Sequence, residues 1–268
     1  MKKSEKLYLF LIFLILYTPI LILVLFSFNS SGNTGSFTGF SLYWYKELFK
    51  SPATFTALKN TLILALSAAA VSTLIGTAAA VGIGKMRSKI AKGAVLSLTN
   101  VPMMSPDIVT GISMMLLFVF VGGNILMTDE TLGFWTILIA HITFCLPYVI
   151  LSVRPRVLSL NKSLSEAAMD LGCTPVQSFF KVELPGIMPG IVSGFVMAFT
   201  LSLDDFVISY FTTGTDFQTL PLLIYSMTKK EVTPDIYALS SLMIGVVLIL
   251  LILSNRSGQK IEGKGTLE

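Results

Sequence analysis

Three aspartates stand where charge is least expected. Asp107, Asp204 and Asp205 lie within long apolar stretches of a 268-residue chain that is 53% hydrophobic and 13% charged. A carboxylate at the centre of a membrane helix costs about 2.5–3.5 kcal/mol on insertion scales, so it is retained for ion traffic, proton relay or a buried bond. No Lys or Arg of the chain lies in those stretches. The carboxylates must be met by protonation, by backbone or hydroxyl donors, by another subunit, or by a cationic solute. Phe206, Tyr210 and Phe211 follow the aspartate pair, and aromatic faces attract amines through cation–π contact. A structural reading competes at each position. Ser105-Pro106-Asp107 has the form of a broken half-helix, with Ser105 as cap and Asp107 in the first turn, where a carboxylate complements the helix dipole. Asp204 and Asp205, on one helix, would point about 100° apart. Both could not face a pathway equally, and one would hold a neighbouring helix.

The elements that must position these residues are membrane helices. Six stretches reach the roughly 20 residues that a bilayer core demands. They fall near 7–28, 60–84, 95–121, 133–153, 187–211 and 236–255, and none contains Lys or Arg. The expected fold is an all-α membrane protein with six transmembrane helices. The first run follows MKKSEK but is longer than a signal-peptide core and ends without a small-x-small site, so it reads as an uncleaved helix. With the N-terminus inside, 14 of the 19 Lys and Arg residues fall in inside segments. That bias puts both termini in the cytoplasm. It also accounts for the net charge of +4 without nucleic acid. External loops near 29–59, 122–132 and 212–235 are too short for a substrate-binding domain, and the cytoplasmic loop near 154–186 is too short for an ATPase.

Other residues carry less. The chain has one histidine, His141, which excludes a multi-histidine metal site and reads as a hydrogen-bonded core residue. Cys145 and Cys173 read as small packing residues. Gly258-x4-Gly263-Lys264 imitates a phosphate loop, but Gly265 stands where Ser or Thr is needed, so the chain itself holds no ATP. Small residues recur every four positions at Ser72, Gly76, Ala80 and Gly84, and again at Gly186, Gly190, Gly194, Ala198 and Ser202. In lipid, such ridges let helix backbones approach closely. The neighbour could belong to this chain or to a partner.

One segment is polar and compact. Ser163-Leu164-Ser165-Glu166 fits a capping box, Gly172 supplies a left-handed stop, and Thr174-Pro175-Val176-Gln177 forms a second box. Leu184-Pro185 would end the second helix. The product is a helix–Gly–helix hairpin over 163–185, with Leu171, Val176, Phe179 and Phe180 as its apolar residues. An amphipathic interfacial elbow would have the same form.

The spacing Glu166-Ala167-Ala168, Gly172, then Val182-x-Leu184-Pro185 resembles the EAA loop of type I ABC importer permeases, departing only in Val182 for Ile. Trp44-Tyr45, Asn60-Thr61-Leu62, Pro102–Ile112, Ser202–Phe206 and Leu220–Met227 are similar to the spermidine/putrescine subgroup of that family. The resemblance implies a non-catalytic permease subunit in a bacterial plasma membrane. Its hairpin, through Glu166, Ala167, Ala168, Asp170, Gly172, Leu184 and Pro185, would couple to an ATPase. Asp107, Asp204, Asp205, Phe206 and Tyr210 would line a substrate pathway. The implied partners are a second homologous permease subunit, two copies of an ABC ATPase that hold ATP and Mg, an extracytoplasmic polyamine-binding protein, and membrane lipid. The implied division is a first helix with an external amphipathic loop over 1–59, a permease core over 60–255, and a polar cytoplasmic tail over 256–268. Competing readings are a permease for an aminophosphonate, ferric iron or an osmoprotectant, a secondary transporter with Asp107 and Asp204 as proton carriers, and a membrane scaffold.

Overall fold

The computed structural model describes residues 3–31, 36–127, 131–229 and 234–264. Among them twelve α-helices follow in order: α1 (Lys3–Phe26), α2 (Tyr43–Lys50), α3 (Pro52–Lys85), α4 (Lys89–Met104), α5 (Asp107–Val121), α6 (Phe134–Ser159), α7 (Lys162–Asp170), α8 (Pro175–Ser178), α9 (Leu184–Asp204), α10 (Val207–Thr212), α11 (Leu220–Thr228) and α12 (Pro234–Lys264). Single π-helical turns at Gly122–Leu126 and Phe179–Glu183 extend α5 and join α8 to α9. Among the described residues the one β pairing is an isolated bridge between Asn29 and Phe40.

Among the described residues five runs are long and apolar enough to cross a bilayer: Glu5–Phe26, Pro52–Lys85, Asp107–Ile125, Phe134–Ser159 and Pro175–Asp204. The sixth expected span, 236–255, falls in α12, where Pro234–Ile249 is a shorter apolar helix. The tail expected over 256–268 lies outside the residues with described side chains, although α12 runs to Lys264.

Two expected spans are not single helices. The stretch 95–121 divides into α4 and α5 at Ser105-Pro106. Proline lacks an N–H and pushes its predecessor out of the α region. Ser105 is extended at ψ 138° and closes α4, its N–H bonded to Val101 O, so it does not cap α5. Pro106 occupies that position with no side-chain bond, and Asp107 sits in the first turn as expected. The stretch 187–211 divides into α9 and α10 at Asp205 and Phe206, where no proline or glycine stands.

The chain forms two compact units. One comprises residues 1–58 and 220–249, the other 59–219 and 250–268. In the first, Leu48, Ala57, Leu220, Ala238 and Leu239 are buried together, with Trp44 and Tyr45 packed on them. The Tyr45 hydroxyl bonds Ser27 Oγ at 2.7 Å and Ser241 Oγ at 2.6 Å, and Trp44 Nε1 donates to Asn29 O at 2.9 Å. Each polar tip of these aromatics therefore has a partner.

The second unit is organised on α6, whose Ile137, Ala140, His141, Cys145, Val149 and Val153 are fully buried. Both small-residue ridges meet it. A Cβ on Gly76 of α3 would stand 2.7 Å from Val149 Cγ1, and one on Gly84 would stand 2.7 Å from Val157 Cγ1. On α9, a Cβ on Gly190 would lie 3.0 Å from Ser152 O, and one on Gly194 would lie 3.3 Å from Val149 Cγ1. Val149 is thus gripped by a glycine from each flanking helix. The neighbour of both ridges is within this chain.

Candidate functional site

The polar hairpin is built by local rules, with two departures from the expected ones. Asn161 caps α7: its side chain accepts from Ser163 N at 3.1 Å, so the helix begins earlier than a box on Ser163 would allow. Glu166 is consequently an exposed residue inside α7. The turn is a Schellman motif: Cys173 N donates to Ala168 O at 3.0 Å, Gly172 N donates to Met169 O at 2.9 Å, and Gly172 is left-handed at φ +95°. The Thr174 box forms as expected, with Gln177 N on Thr174 Oγ1 at 3.3 Å and Thr174 N on Gln177 Oε1 at 3.0 Å. Leu184 and Pro185 do not end the second helix. The chain stays helical through the π turn, and Pro185 lies in the first turn of α9.

Polar bonds close the hairpin. Ser165 Oγ lies 2.9 Å from Ser178 Oγ and donates to Glu183 Oε1 at 3.1 Å, and Lys85 Nζ donates to Glu183 Oε2 at 2.8 Å. The Lys85 ammonium also stands 5.7 Å over the Phe179 ring. Serine and glutamate spacing alone did not single out these residues, because their meeting depends on the hairpin closing. The outer side carries Glu166, Ala167 and Asp170, all exposed, and Leu171, Val176 and Phe180 at 88%, 66% and 59% exposure. Ala168 is half-buried.

The two adjacent aspartates separate completely. Asp204 ends α9 and is exposed. Asp205 is extended at ψ 127°, and its side chain is 7% exposed. Its carboxylate accepts from Ser209 N at 2.8 Å and Ile208 N at 3.4 Å, binding the orphan amides at the start of α10. His141 Nε2 stands 3.5 Å from the same carboxylate. The imidazole bonds Ser202 Oγ at 2.7 Å and Ser209 Oγ at 3.0 Å, a hydrogen-bonded core residue as expected. The Phe206 and Tyr210 rings lie 5.6 Å apart, and Tyr210 is 46% exposed. On α5, Asp107 is exposed one turn before Gly111, whose bare Cα admits Phe211 and the Val207 carbonyl of α10. Exposed carboxylates and aromatic faces therefore occur on the packed pair α5–α10 and at the end of α9.

The chain matches the family model described as "Binding-protein-dependent transport system inner membrane component" over residues 72–262. It is 40% identical over 247 residues to the spermidine/putrescine transport system permease protein PotC of Haemophilus influenzae, covering 92% of this chain and 93% of that one. It is 42% identical over 238 residues to the putrescine transport system permease protein PotI of Escherichia coli K12, covering 89% and 84%. A bacterial ABC transporter involved in alginate import shares its fold at TM-score 0.74 and 18% identity, covering 96% of this chain and 94% of that one. The MetNI methionine ABC transporter, captured facing inward, aligns at TM-score 0.58 and 17% identity over 79% of this chain and 99% of that one. The chain belongs to the binding-protein-dependent transport system inner membrane component family, the permeases of ABC importers.

Proposed function

We propose that this chain is one permease subunit of an ATP-driven polyamine importer, taking spermidine or putrescine. The reading rests on identity of about 40% over nearly the whole length to relatives that carry those substrates in their names. The exposed Asp204 carboxylate, with Phe206 and Tyr210 following it, supports a cationic solute. Opposite charges attract more strongly at low dielectric, and each further ammonium adds to that attraction. The chain itself is non-catalytic. Its hairpin, through Glu166, Asp170, Gly172 and the open apolar residues, docks on a separate ABC ATPase that holds ATP and Mg. Two such ATPases, a second homologous permease subunit and an extracytoplasmic polyamine-binding protein complete the assembly. Six spans with both termini cytoplasmic follow from the bias of basic residues. ATP and the loaded binding protein each favour one state of an alternating-access cycle, and only that difference in affinity can move the equilibrium.

The experiment is reconstitution with the neighbouring subunits in vesicles. ATP hydrolysis stimulated by the loaded binding protein, together with concentrative uptake of labelled spermidine or putrescine, is expected. Uptake driven by a proton gradient without ATP would overturn the reading, as would stimulation by a non-cationic solute alone.

A further inference from the structure

The break between α9 and α10 contains no proline or glycine: from Ser202 to Tyr210 the sequence runs Ser-Leu-Asp-Asp-Phe-Val-Ile-Ser-Tyr. Asp205 favours it locally by capping the amides of Ile208 and Ser209. His141 of α6 is the residue outside the segment placed to hold it open. Its ring bonds Ser202, in the last turn of α9, and Ser209, in α10. In a continuous helix those serines, seven residues apart, would be separated by a rise of about 10.5 Å. One imidazole with bonds of 2.7 and 3.0 Å reaches less far than that. The bridge and the unbroken helix therefore exclude each other.

We propose that His141 is a positioning residue for Asp204: by holding a serine on each side of the helix break it keeps the Asp204 carboxylate exposed to a cationic solute. The inference rests on the proposed role of Asp204 as a cation-receiving group. The remaining bonds agree with it. Ser209 Oγ donates to Asp205 O at 3.3 Å, which leaves its lone pairs to accept the Nε2 hydrogen of His141. In the neutral imidazole Nδ1 then accepts from Ser202. Asp205 holds the far side by accepting from the amides of Ile208 and Ser209. The cluster is buried, with Ser202 at 2% and His141 and Ser209 at 0% exposure. Water cannot replace these bonds when one is removed. Without them the segment can relax toward one helix, in which residues 204 and 205 stand about 100° apart and the present division into one exposed and one buried carboxylate is lost.

The test reads the exposure of position 204 directly. An Asp204→Cys variant that also carries Cys173→Ser is assembled with its partner subunits and labelled with a cationic methanethiosulfonate. Adding His141→Leu is expected to slow labelling about fivefold, and adding His141→Gln, which keeps a donor near the Nε2 position, to recover most of the rate. Equal rates with and without His141→Leu overturn the inference. Should the His141→Leu complex fail to assemble, His141→Asn carries the comparison with His141→Gln, since its shorter side chain does not reach the serine beyond the break. Slower labelling in His141→Asn than in His141→Gln supports the inference, and equal rates in the two overturn it. Uptake separates this inference from the reading beneath it. With Asp204 in place, His141→Leu is expected to raise the KM for labelled spermidine about fivefold, and Asp204→Asn in that background is expected to add little. Additive effects overturn the inference. Slowed labelling with an unchanged spermidine KM keeps the positioning role and overturns the role of Asp204 as cation receiver.

Discussion

Lys85, the last residue of α3, donates to one oxygen of Glu183 at 2.8 Å, while the other oxygen accepts from Ser165 of α7 at 3.1 Å. One carboxylate therefore joins the end of a long helix, the first arm of the hairpin and the π turn that leads into α9. The Lys85 and Glu183 side chains are 59% and 19% exposed, so as an ion pair they contribute no more than about 1 kcal/mol. Their importance is connective. π turns often sit at functional positions, because their irregular bonding lets a helix shift its register.

Glu183→Gln keeps the size of the side chain and removes its charge. It is expected to change the thermal stability of the complex by no more than about 1 kcal/mol, and to lower the number of polyamine molecules imported per ATP hydrolysed. The paired exchange Lys85→Glu with Glu183→Lys is expected to restore part of that ratio. Uptake and phosphate release measured in the same vesicles check it. An unchanged ratio for Glu183→Gln removes the connective role.

At Gly172 space is not the constraint, because an added Cβ would meet nothing within 4 Å. The backbone is, at φ +95°. Gly172→Val is expected to cost about 1–2 kcal/mol and distort the Schellman turn, whereas Gly172→Asn, which tolerates left-handed backbone, costs less. Copurification of the ATPase and polyamine uptake should fall in that order, with binding of polyamine to the external protein unaffected. Equal behaviour of the two variants would sink the assignment.

Asp204 and Asp205 are expected to fail in different ways. Asp204→Asn should leave an assembled, stable complex with strongly reduced uptake, and the loss should be larger for spermidine than for putrescine. Asp205→Asn should lower thermal stability by about 1.5–3 kcal/mol, since it weakens charge-assisted bonds to two amides in a buried site. Thermal inactivation in detergent and initial uptake rates distinguish the two. Wild-type uptake in Asp204→Asn would remove that residue from the pathway.

The small-residue ridges give a graded packing test. Gly76→Ala places a Cβ 2.7 Å from Val149 Cγ1 and 2.9 Å from its Cβ, and is expected to destabilise by about 1–3 kcal/mol. Gly82→Ala on the same helix meets nothing within 4 Å and is expected to be neutral or stabilising by about 0.5–1 kcal/mol. Comparable losses for both variants would contradict the seating of α3 on α6.

What could be determined from the sequence alone was whatever depends on local chemistry. Apolar length marked the spans, glycine and capping residues marked the hairpin, and the spacing from Glu166 to Pro185 carried the family resemblance. Each follows from bonds within a few residues or from the simple need to cover a helix in lipid. Pro106 likewise announced a helix start, although Ser105 closed the helix before it and left the cap of the next to Pro106. The tertiary structure decided the rest. It placed both glycine ridges on α6, a neighbour that a ridge cannot specify by itself. It joined Lys85 to Glu183 across 98 residues of chain. Above all it opened a helix at Asp205 where no proline or glycine stands, because His141 and the amides of Ile208 and Ser209 offer buried bonds that an unbroken helix would forgo. Two chemically identical neighbours, Asp204 and Asp205, acquire opposite surroundings for that reason. No reading of residues 204 and 205 alone could assign one to the surface and the other to the core.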